Sequence, residues 1–181
     1  MPLILQFLRT LRECNLDIKD MLKNAAVPKR PYQLKGTKEF FIQVKMGNYQ
    51  NVDDILAKNR YFVFQINALG KTAVHKAVTN KDHKMVRLLL KHHPDVNKRD
   101  FNGKTPLTYA IESDCLNTAK NLLLQKARPW FDGKQIYADQ SKSPKMGLLI
   151  ERAKKFWALM AFLKPGEKEK MWTQNAHNVI Y

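Results

Sequence analysis

The sequence predicts an all-α chain, a short solenoid of about three helix pairs with an N-terminal and a C-terminal capping helix. Three observations carry this prediction. A unit of 33 residues recurs with its turn and its apolar positions in register, an apolar stripe at helical spacing precedes it, and a wider apolar helical face follows it. Self-similarity at such a period marks a stacked-repeat architecture. Units of this kind cannot bury their faces alone, so a short stack needs caps. With 181 residues, 44% of them hydrophobic, the chain is long enough to bury roughly two thirds of its unfolded surface.

Residues 1–35 read as an N-terminal amphipathic helix followed by a proline-containing linker. Ile4, Phe7, Leu11, Cys14, Ile18, Met21 and Ala25 alternate in steps of three and four, which lines one helical face. Pro28 and Pro31 end it, because their rings forbid continuation. Two roles stay open for this helix: capping the chain's own core or docking onto a partner. The first dozen residues hold Arg9 and Arg12, no acid and an apolar face, compatible with a mitochondrial targeting helix, and Glu13, Asp17 and Asp20 weigh against it.

Residues 36–132 hold the repeats. Gly70-Lys71-Thr72 returns as Gly103-Lys104-Thr105, and Val86 to Leu90 is matched by Ala119 to Leu123. Val52 to Leu56 stands one unit upstream of Val86. Thr72 and Thr105 are suited to cap helix starts, Pro106 to the first helical position, and Gly70 and Gly103 to the turn. Over Asn67 to Asn97 and Asp100 to Leu124 the sequence resembles the ankyrin-repeat family, with Thr105-Pro106-Leu107 and Thr72-Ala73-Val74-His75 similar to its helix start. The resemblance implies two clear repeats and one degenerate one, covering about half the chain, each a turn, two antiparallel helices and a protruding hairpin. The departures are Lys81 and Asp114 where the family favours glycine, Thr108 in place of the histidine, and Phe64 where Asn97 stands one unit later. The upstream unit, Lys38 to Asn59, keeps Gly47 but has Lys-Glu-Phe-Phe at the helix start.

Residues 133–181 read as a C-terminal helix and an extended tail. Ser143-Pro144 begins the helix, Met146, Leu149, Ile150, Ala153, Phe156, Trp157, Met160 and Leu163 give it an apolar face, and Lys164-Pro165-Gly166 stops it. Glu167 to Tyr181 shows no sustained period, and Trp172 and Tyr181 stand there as anchors for a partner.

Thirty-two Lys and Arg face 16 Asp and Glu, a formal charge of +16 spread along the whole chain. Such a surface calls for an acidic protein partner, an anionic lipid or RNA, or is simply solvated. No apolar run is long enough to span a bilayer. Two distant cysteines, Cys14 and Cys115, exclude a disulfide scaffold and a thiolate zinc site and point to an intracellular setting, mitochondrial or cytoplasmic and cytoskeletal.

No catalytic, metal or cofactor constellation stands out, and the chain is read as a non-catalytic protein-protein interaction module, a structural or accessory subunit of a large intracellular assembly. The alternative is a basic protein held on organellar RNA or on an anionic membrane. The twofold Gly-Lys-Thr is no phosphate loop, because Gln65 and Lys98 replace the required upstream glycine. His75 is read as structural, His83, His92 and His93 lack a third ligand at zinc spacing, and Cys14 and Cys115 are read as core. The resemblance implies a concave binding surface of loop tips and inner helices: Gln65, Asn67, Leu69, Lys76, Lys98, Arg99, Phe101, Asn102 and Tyr109. Leu69 and Phe101 are read as apolar residues at matching tips. Lys84, Arg87, Lys91, Lys98 and Arg99 form a basic stretch along an outer helix and the following loop.

Overall fold

The computed structural model describes residues 34–131, 135–136 and 142–181. The N-terminal helix expected within residues 1–35, Cys14 included, falls almost wholly outside them. Three helix pairs follow in order: α1 (Thr37–Met46) with α2 (Tyr49–Lys58), α3 (Ala73–Thr79) with α4 (His83–Lys91), and α5 (Pro106–Glu112) with α6 (Leu116–Leu124). A 3-10 turn, Arg60–Phe64, leads from the first pair to the second. The inner helices α1, α3 and α5 stack in one layer and the outer helices α2, α4 and α6 in another, with the core between them.

Local chemistry fixes each helix start. The Thr72 hydroxyl accepts from the His75 backbone N–H, and the Thr72 N–H donates to His75 Nδ1 at 3.1 Å. Thr105 and Thr108 make the same reciprocal pair, so the threonine that replaces the family's histidine keeps the cap. Pro106 occupies the first turn of α5. In the degenerate unit α1 starts instead from Gly36, at φ 94°, with no side-chain cap.

Each inner helix ends on a left-handed residue: Gly47 at φ 74°, Lys81 at 56° and Asp114 at 52°. Each donates its N–H to a carbonyl three residues back, and the next residue donates five back, as Lys81 does to Val78 and Asp82 to Ala77. The places where lysine and aspartate depart from glycine are therefore left-handed all the same. His93 and Lys126, just past α4 and α6, adopt the same conformation.

Beyond the third pair, β1 (Trp130–Phe131) runs antiparallel to β2 (Gln135–Ile136), the one strand pair among the described residues of an otherwise helical fold. Helix α7 (Pro144–Ala161) begins as expected, with the Ser143 hydroxyl accepting from the Met146 N–H, and buries Met146, Leu149, Ile150, Ala153, Phe156 and Met160.

The extended tail is corrected. Pro165–Ile180 form a second C-terminal helix, α8, packed on α6 and α7. Pro165 sits in its first turn, so the Lys-Pro-Gly that stops α7 also starts α8. Trp172, Ala176 and Ile180, four apart, turn inward together. No helix among the described residues is long and apolar enough to cross a membrane.

Candidate partner-binding surface

Two hairpins project from the stack, and the same acceptor arrangement builds both. In the first, Asn67 Oδ1 accepts from the Leu69 and Lys71 N–H groups at 2.9 and 3.0 Å. In the second, Asp100 Oδ1 accepts from Asn102 and Lys104, both at 2.9 Å. Asn67 thus acts on its own loop, whereas Gln65 ties its loop to the segment before α1 by accepting from the Leu34 N–H at 3.2 Å. These two predicted contact residues hold the surface in shape rather than present it.

The tips differ from the sequence reading by one register. Gly70 corresponds to Gly103, so Phe101 corresponds to Ala68 and Asn102 to Leu69. Leu69 and Phe101 still meet, because the second hairpin leans on the first: the Phe101 N–H donates to the Leu69 carbonyl at 3.1 Å. The Phe101 ring lies over Gly70, where a Cβ would come within 2.6 Å of it. Even so, Leu69 and Phe101 remain 60% and 71% exposed. Lys98, Arg99 and Asn102 are exposed beside them.

Tyr109, on inner helix α5, is the fixed centre of the surface. Its hydroxyl donates to Asp100 Oδ2 at 2.6 Å, Lys71 Nζ lies 4.3 Å from the ring centroid, and His75 meets the ring edge-on. Lys104 Nζ, 5.6 Å from the same centroid, is tied to Glu112 at 2.5 Å. Lys71 and Lys104 escaped the sequence reading, although their equivalence in the repeated Gly-Lys-Thr was the signal for them. Lys76, on α3, is half-buried.

Electrostatics reinforce this arrangement. Burial pushes the Asp100 carboxyl up, and the bonds from Tyr109, Lys104 and Asn102 outweigh it, so the carboxyl is held below the ordinary carboxylate range. The Glu112 hydrogen bond raises the Lys104 ammonium above its ordinary value. Burial lowers the His75 imidazole, whose Nε2–H donates to the Lys104 carbonyl at 3.0 Å while Nδ1 accepts from Thr72. One histidine therefore caps its own helix and pins the next hairpin, a structural role.

The remaining candidate residues disperse. His83 pairs with the Thr118 hydroxyl at 2.6 Å and His92 with Asp53 at 3.1 Å. No group of three metal-ligating side chains forms among the described residues. Cys115 is half-buried at the head of α6 rather than in the core. Lys84, Arg87 and Lys91 are exposed along α4. Trp172 is 7% exposed and donates its indole N–H to the Leu124 carbonyl, which removes it as an anchor for a partner. Tyr181 stays exposed, with Lys120 Nζ 4.4 Å from its ring centroid.

The family model for ankyrin repeats matches residues 40–131 in three copies, half the chain. The chain belongs to the ankyrin-repeat family. Its ankyrin repeats form a protein-protein interaction module. Among curated relatives, the chain is similar to ankyrin repeat protein L371 of Acanthamoeba polyphaga mimivirus, 33% identical over 49% of this chain and 12% of the relative. It is 41% identical to the inactive serine/threonine-protein kinase TEX14 of Bos taurus, over 39% of this chain and 5% of that protein. Protein phosphatase 1 regulatory subunit 27 of Mus musculus is 27% identical over 46% of this chain and 54% of its own length. The chain thus spans about half the length of that subunit, and small fractions of the others.

Proposed function

We propose that this ankyrin-repeat chain is a non-catalytic accessory subunit of an intracellular assembly, and that it grips an acidic protein surface with its hairpin tips and inner helices. The exposed apolar pair Leu69 and Phe101 carries this reading. Both residues sit on hairpins already locked by backbone hydrogen bonds, so a partner meets a preorganised surface and little ordering entropy is lost on binding. Lys98 and Arg99, exposed just before Phe101 in the chain, favour carboxylates. Likeness to a phosphatase regulatory subunit supports accessory rather than catalytic work.

The test is a Leu69→Ser, Phe101→Ser double variant, purified gently from its native cells with its associated proteins. Loss of the associated proteins with an unchanged melting temperature is expected. Unchanged recovery would sink the proposal. So would association that nuclease abolishes, which would place the chain on RNA.

A further inference from the structure

We propose that the outward face of α7 is a second docking site, fitted to an amphipathic helix of a partner protein that carries carboxylates between apolar residues. Helix α7 buries one side, and its opposite side is organised too. Leu148, Arg152, Lys155, Leu159 and Phe162 follow one another in steps of three and four, so they fall on a single stripe. All five are exposed, Leu148 at 55%, Leu159 at 52% and Phe162 at 89%. The stripe runs about 21 Å, four turns of helix.

A solenoid cap ordinarily turns a polar outer face to water, whereas this one lines up three large apolar side chains. The order of the chemistry selects the occupant. Arg152 and Lys155 lie in the middle of the stripe, with apolar residues on both ends. Neighbouring Glu151 does not neutralise them, because its carboxylate is 3.1 Å from Lys154 Nζ. On a flat bilayer the two central cations would be forced to the depth of Leu148 and Leu159, an arrangement that favours water over lipid. A partner helix with carboxylates at its centre satisfies the cations and covers both apolar ends together. The stripe shares no residue with the hairpin surface, so the proposal stands without it.

The experiment uses the full chain and a synthetic helical peptide with glutamates between leucines at the spacing of the stripe, read by fluorescence anisotropy. Saturable binding is expected. Arg152→Glu with Lys155→Glu should weaken it about tenfold or more, and a peptide with lysines in place of the glutamates should restore it. Leu159→Ser with Phe162→Ser should weaken both pairings, while Phe101→Ser changes neither. Circular dichroism confirms that each variant is folded. Absence of peptide binding, failure of the swapped peptide to restore it, or stripe-dependent sedimentation with phosphatidylserine vesicles in place of peptide binding would overturn the proposal.

Discussion

Lys81, at the end of α3, illustrates how a single residue departs from its family without changing the backbone. Its φ of 56° is left-handed, a conformation that is unfavourable for any residue with a Cβ. Lys81→Gly is therefore expected to stabilise the fold by about 1 kcal/mol, the Cβ penalty less the extra entropy of glycine. That corresponds to a rise of about 2–4 °C in a thermal melt. Asp114→Gly should gain less, since the Asp114 carboxylate accepts from the Ser143 hydroxyl at 2.7 Å and the variant loses that bond. His75 gives the second residue-scale prediction. Its folded-state value lies below the ordinary 6.5, so the unfolded chain binds the proton first as the pH falls. Its contribution is whole above that ordinary value and is lost as the pH drops from there through the folded-state value. The melting temperature should fall over this interval, and His75→Gln should flatten the dependence.

Among the elements, the paired helices were legible because each carries its own punctuation: a capping threonine, a turn glycine and an apolar stripe. Helix α7 was legible for the same reason. Helix α8 was not, because Thr173, Asn175, His177 and Asn178 dilute its apolar positions with residues of modest helix propensity. It forms because Trp172, Ala176 and Ile180 find a surface on α6 and α7, and tertiary packing supplies what propensity lacks. Trp172 lies 5.5 Å from Phe156 and 5.4 Å from Trp157, ring centre to ring centre. Trp172→Ala should destabilise the protein by about 3–5 kcal/mol, measured by denaturant unfolding, whereas a residue held for a partner would change stability little. Of the binding surface, the tips and Tyr109 could be read from the repeat. The structural duties of Gln65 and Asn67 could not, because they depend on loop hydrogen bonds rather than on spacing. Nor could the contact between Leu69 and Phe101, which arises across registers when one hairpin leans on the other.

For the whole molecule, the formal charge of +16 sets the response to salt. Ion pairs such as Lys126–Glu169 at 2.7 Å and Lys104–Glu112 lie at the surface and relieve little of that self-repulsion. Moderate sodium chloride should therefore raise the melting temperature by screening like charges, by about 2–4 °C for each kcal/mol relieved; a decrease would show that attractive pairs dominate. The indole N–H of Trp172, bonded to the Leu124 carbonyl, has a consequence for how this molecule can grow. A further helix pair would have to stack against α6, the last outer helix, and α7 and α8 already pack on it. The array is thus finished on that side, and a longer version can be obtained only by splicing a whole unit between existing pairs, which would add one hairpin to the grip and leave its terminal lock untouched.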